Sequence, residues 1–90
     1  MNNELVLYFR GMYLGDVHKL VSNGMYYCNA GHINDVRWRF DLSELLVYLS
    51  DYTVCSKSEN SLTKLDNYAA YSVEVDQTGQ FTIHLNHHTV

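Results

Sequence analysis

Cys28 and His32 stand four positions apart, while His84, His87 and His88 gather near the other end of the chain. Thiolate and imidazole are the donors of a tetrahedral zinc site, which needs about four such groups. Cys28, His32, His84 and His87 are therefore the candidate metal ligands, provided the last strand runs beside the one carrying Cys28. Paired knuckles of the C-x2-C kind, the usual mark of a structural zinc site, do not occur. The expectation is exposed histidines, with neither a metal nor a cofactor.

Nucleophilic catalysis needs a thiol or hydroxyl beside a histidine that a carboxylate orients. Cys28 or Cys55 with His18, His32 and Asp35 supplies the residue types. The sequence has no nucleophile elbow, glycine-rich phosphate loop or deaminase zinc pattern to organise them. Cys28, with Tyr26 and Tyr27 just before it on a strand, reads as a small core hydrophobe. The chain is expected not to be an enzyme.

Arg37-Trp38-Arg39 mixes guanidinium and aromatic groups, as nucleic-acid platforms do. On a strand, Trp38 faces away from both arginines, and the net charge is −4. Nucleic acid is disfavoured as a partner. Residues 1–40 carry three acids against four bases, and residues 41–90 carry seven against two, so the second half is an acidic lobe. Such a lobe favours a partner with a basic surface.

Eight tyrosines stand against three lysines (Lys19, Lys57 and Lys64) and no proline. Tyrosine is enriched at protein-binding surfaces because its ring buries a large area at low entropic cost, and lysine is depleted there. The candidate protein-binding residues are Glu44, Val47, Tyr48 and Asp51 on one face of a helix, together with Tyr26 and Tyr27. The last two are neighbours on a strand and must point to opposite faces.

The helix spans about 42–51. Asp41 caps it, Glu44 completes a capping box, and Phe40 meets Leu45 as a hydrophobic staple. Leu42, Leu45, Leu46 and Leu49 form the buried stripe at helical spacing. Tyr71, Val73 and Val75 alternate with polar residues, as do Phe81, Ile83 and Leu85, and Asp76-Gln77-Thr78-Gly79 joins them into a hairpin. Upstream, Leu5–Arg10, Val17–Ser22, Met25–Asn29 and Val36–Phe40 read as strands. Gly11 and Gly15 mark a bulge or turn, and Asn23-Gly24 marks a two-residue turn. Residues 56–61 form a solvent loop. At 62–69, Leu62, Leu65 and Ala69 fit a helical face while Asp66-Asn67 fits a turn between strands.

The expected architecture is α+β: one domain over 1–90, an antiparallel sheet of about five to seven strands, and one amphipathic helix packed on a face. The chain has no apolar run long enough to span a membrane and no leader pattern at Met1-Asn2-Asn3-Glu4, and two cysteines do not make a disulfide framework. A cytoplasmic protein without membrane contact is expected. In size and composition the chain resembles toxin-immunity proteins and phage-encoded inhibitors of host defence. That resemblance implies a small stoichiometric inhibitor or adaptor that covers a functional surface of its partner. The alternative is a homo-oligomeric assembly module, a homodimer at its simplest, pairing through the apolar strand Leu5–Phe9 as a sheet edge. A third reading is a small metal-binding protein using the histidine cluster.

Overall fold

The computed structural model describes residues 3–20, 25–35 and 42–88, and the period-two segments within them appear as strands. In chain order these are β1 (Glu4–Phe9), β2 (Met12–Lys19), β3 (Met25–His32), helix α1 (Leu42–Val47), β4 (Tyr52–Lys57), β5 (Leu62–Leu65), β6 (Tyr68–Val75) and β7 (Gln80–His87). All seven strands join one antiparallel sheet in the order β5-β4-β1-β2-β3-β7-β6. The sheet curls so that β6 returns against β4, and a 3-10 turn at Leu49–Asp51 packs on β6. Among the described residues the fold is predominantly β with one short helix.

The concave side holds the core. Leu7 and Phe9 from β1, Leu14 from β2, Cys28 and Ala30 from β3, Val54 from β4, and Phe81, Ile83 and Leu85 from β7 meet Leu45 of α1 there. Phe81, Ile83 and Leu85 are all buried, as their alternation requires.

Two turns depend on left-handed backbone. Arg10 and Gly11 join β1 to β2 with φ of 50° and 83°, the signs of a two-residue type I′ turn, which matches the twist of a hairpin. Gly79 (φ 90°) closes the β6–β7 loop, where a Cβ would lie 2.9 Å from the His32 ring. Asp76 organises that loop. Its Oδ1 accepts from the Thr78 hydroxyl (2.6 Å), the Thr78 amide (2.9 Å) and the Gln80 amide (3.0 Å).

Several expectations are corrected. The helix expected over 42–51 ends at Val47. Tyr48 leaves helical geometry with φ −89° and ψ 67°, and the chain re-enters as the 3-10 turn. Leu45 is buried and Leu49 lies against the core, whereas Leu46, expected in the buried stripe, is 45% exposed. Leu5–Phe9 is no edge. It pairs with β2 on one side and β4 on the other, and among the described strands β5 and β6 are outermost. Residues 62–69 are strand, turn and strand. In β6 a bulge between Ala70 and Ser72 leaves Tyr71 as the extra residue, so it falls out of the Val73 and Val75 alternation and is exposed. Similarly, Leu14 is the extra residue of β2, beside Gly15. The expected Asn23-Gly24 turn, the Val36–Phe40 strand with Arg37, Trp38 and Arg39, and the Asp41 cap lie outside the described residues.

Candidate functional site

Glu44 on α1 and Asp51 on the 3-10 turn lie on either side of a guanidinium that arrives from the β1–β2 turn. Arg10 Nη1 donates to Glu44 Oε1 at 2.5 Å, and Arg10 Nε donates to Asp51 Oδ2 at 2.8 Å. The Arg10 amide also donates to the Asp51 carbonyl at 3.3 Å. The same guanidinium lies 5.0 Å from the centroid of Phe9 and 5.0 Å from that of Tyr48, a cation–π distance for both rings. Hydrogen bonds donated to Glu44 first, then to Asp51, push the Arg10 pKa further up. Two carboxylates and one guanidinium leave this ring of charges with a single negative charge. Beside it, Leu46, Val47 and Tyr48 are exposed at 45%, 67% and 49%. The helix face is thus an apolar tripeptide bordered by an ordered charged ring, rather than a set of unopposed acids.

Arg10 is a site residue that sequence reasoning missed. Its two partners are 34 and 41 residues away, and no local spacing points to them.

The eight tyrosines divide among four environments. Tyr52 is buried and donates its hydroxyl to the Leu45 carbonyl at 2.6 Å. Burial pushes its pKa well above the usual phenol range. Tyr26 and Tyr68 are half-buried against the core and meet edge to face at 5.2 Å, while Tyr68 stacks on His87 at 4.6 Å. Burial, then the hydrogen bond with Tyr26, pushes the Tyr68 pKa up to about 12. Tyr48 is exposed on the helix side, and the remaining four, Tyr8, Tyr13, Tyr27 and Tyr71, lie on the convex face. There Tyr8 meets Tyr13 edge to face at 5.8 Å, Tyr27 lies 5.4 Å from His18, and Tyr71 lies 6.0 Å from His84. Tyr26 and Tyr27 do take opposite faces. Their ring contacts involve His18, Tyr68 and His87, none of which belongs to the Arg10 ring, so the six candidate binding residues do not form one patch.

The candidate metal ligands are held in four separate surroundings. Cys28 is sealed in the core. The His32 Nδ1 accepts from the Asn34 amide at 3.1 Å, which leaves Nε2 to donate to the Thr78 carbonyl. His84 Nε2 lies 2.5 Å from Glu74 Oε1 on the convex face. Asn67 Nδ2 donates to His87 Nε2 at 2.9 Å. Among the described residues no three histidine, cysteine, aspartate or glutamate side chains are grouped to hold a metal ion.

No disulfide joins Cys28 and Cys55, which are buried on opposite faces of the sheet. Among the described residues no helix is long and apolar enough to cross a membrane. No protein-family model matches the chain, nor does any curated protein or any solved structure.

Proposed function

We propose that this protein is a small stoichiometric inhibitor or adaptor that covers a functional surface of a partner protein through the end of α1. The observation behind this reading is the exposed run Leu46-Val47-Tyr48 beside the Arg10–Glu44–Asp51 ring. Exposed apolar side chains in sequence, rimmed by polar groups, are what a binding patch presents. Because Arg10 fixes both carboxylates and underlies the Tyr48 ring, these groups lose little freedom on contact, and that lowers the entropic cost of association. The net charge of −4 favours a partner with a basic surface. A cytoplasmic location fits two buried, unbridged cysteines.

The test is a tagged pull-down from the native cell lysate at low and high salt, with wild type, Val47→Asp and Tyr48→Ala run side by side. The expected result is one partner recovered in a fixed ratio by wild type and lost by both variants, whose melting temperatures stay near wild type. Loss of a central aromatic anchor costs about 2 kcal/mol or more of binding. Equal recovery by all three proteins would sink the reading.

A self-assembling module is the second reading, and since β1 is paired on both sides it would use an outer strand of the sheet. Among the described residues both outer strands combine an open side with exposed apolar or aromatic residues, Leu62 at 51% on β5 and Tyr71 and Val75 at 41% and 43% on β6. Light scattering of a strict monomer at tens of micromolar would remove it.

A further inference from the structure

Val6 of β1 and Cys55 of β4 are cross-strand partners on the convex face, and both are buried, at 1% and 7% exposure, although they point away from the core. A side chain on the solvent side of a sheet stays buried only where its neighbours build a second layer over it. Here that layer shapes a shallow pocket of about 360 Å³, largely open to solvent, lined by Tyr8, Gly11, Thr53, Cys55, Leu62 and Lys64. The volume lies at the lower end of the range for small-molecule sites.

Each wall has a structural cause. Tyr8 is held in place by its edge-to-face contact with Tyr13. Gly11 occupies the β1–β2 turn because the turn needs positive φ, and a Cβ there would meet nothing within 4 Å, so that end stays open. Leu62 and Lys64 lie on the same face of β5, opposite Lys57 and Cys55 in the register. Burial pushes the Cys55 thiol up while the Lys64 ammonium pulls it down, and the net shift is upward. The thiol therefore stays neutral, and the pocket contains one formal charge, that of Lys64. Among the described residues Lys64 makes no ion pair.

The geometry points to a binding site for a free small organic anion, with a one- or two-ring or short acyl body against Tyr8, Cys55 and Leu62 and its carboxylate or sulfonate at Lys64. An apolar recess whose lining carries one cation, unopposed among the described residues, selects an amphiphilic monoanion over a neutral molecule or a polyanion. This surface is separate from the Leu46-Val47-Tyr48 patch, so either assignment can fail alone.

The experiment titrates the purified full chain with anilinonaphthalene sulfonate and, in parallel, with the neutral phenylnaphthylamine. Fluorescence reports affinity, and amide chemical shifts report position. Saturable binding is expected, with shifts at Gly11, Thr53, Cys55, Leu62 and Lys64, and with the sulfonate bound more tightly. Lys64→Gln weakens the sulfonate about fivefold, the upper end for an exposed ion pair, and leaves the neutral probe unchanged. Leu62→Asp, a change at a half-exposed position, weakens both. No saturation, shifts confined to other strands, or a sulfonate affinity indifferent to Lys64→Gln would overturn the assignment.

Discussion

The Tyr52 hydroxyl donates to the carbonyl oxygen of Leu45 at 2.6 Å, so the first residue of β4 holds the helix that lies seven positions before it. Phe9 packs on the Tyr52 ring at 4.7 Å, which keeps the phenol aimed at that carbonyl. Tyr52→Phe leaves the ring in place and removes only the donor. The expected loss is about 1–3 kcal/mol, the cost of a buried acceptor left unpaired, read as a lower urea midpoint with an unchanged slope. Leu45→Ala in the same contact should cost about 2–5 kcal/mol, because it opens a cavity in the core.

Arg10 combines a strained backbone with a set of side-chain bonds, and two substitutions separate them. Its φ of 50° is unfavourable for any residue with a Cβ, and Gly accepts it without strain. Arg10→Ala loses the bonds to Glu44 and Asp51 and keeps the strain, whereas Arg10→Gly loses both. Thermal melts should therefore rank wild type above Arg10→Gly, and Arg10→Gly above Arg10→Ala. The gap between wild type and either variant should narrow in high salt, as screening weakens exposed ion pairs. A gap independent of salt would mean the rings of Phe9 and Tyr48, not the carboxylates, hold Arg10.

At Gly79, any side chain enters the space of His32 and Ile33. A Cβ would lie 2.9 Å from His32 Nε2 and 3.0 Å from Ile33 Cγ1, at a φ of 90°. Gly79→Ala should destabilise the fold by about 1–3 kcal/mol, the cost of one residue held in a disfavoured region. Denaturant unfolding checks this, and a neutral result would show that the β6–β7 loop re-forms without its bond to His32.

The phenols make stability fall in alkali. Burial raises Tyr52 and Tyr68, the latter to about 12, and burial followed by the Asp16 hydrogen bond raises Tyr13. A raised folded value means the native state keeps its proton when the unfolded chain has lost it. The contribution is complete below the unfolded phenol value of about 10 and disappears as pH climbs from there through the folded values. Urea midpoints should hold steady up to about pH 9 and then decline, and Tyr68→Phe should make the decline shallower. In acid the sign reverses for Asp76. The bond from the Thr78 hydroxyl comes first among the causes that hold its carboxyl below the ordinary range, so its support for the loop is lost as pH falls through the folded value.

Short-range pattern was a reliable guide to strands and a poor guide to faces. Phe81, Ile83 and Leu85 alternate and are buried as the alternation says, yet Tyr71 alternates with Val73 in the sequence and sits on the opposite face. One bulge between them shifts the phase, and a bulge is set by what the partner strand accepts. For the candidate site, Glu44, Val47, Tyr48 and Asp51 could be placed on one side of a helix from spacing alone. The helix break at Tyr48 and the Arg10 guanidinium between the two acids could not, because both depend on where the β1–β2 turn docks.

The sequence by itself determined some local choices: the extended segments of β1, β3 and the β6–β7 hairpin, the turns at Gly11 and Gly79, and Cys28 as a core residue. Each of these rests on the backbone preference or the apolar period of a few adjacent residues. Tertiary structure alone decided that β1 is central, that Arg10 joins Glu44 and Asp51, and that Val6 and Cys55 are buried on the convex side. Those outcomes follow from strand order and curl. Both are settled by which distant surfaces fit together, and no window of neighbouring residues contains that information.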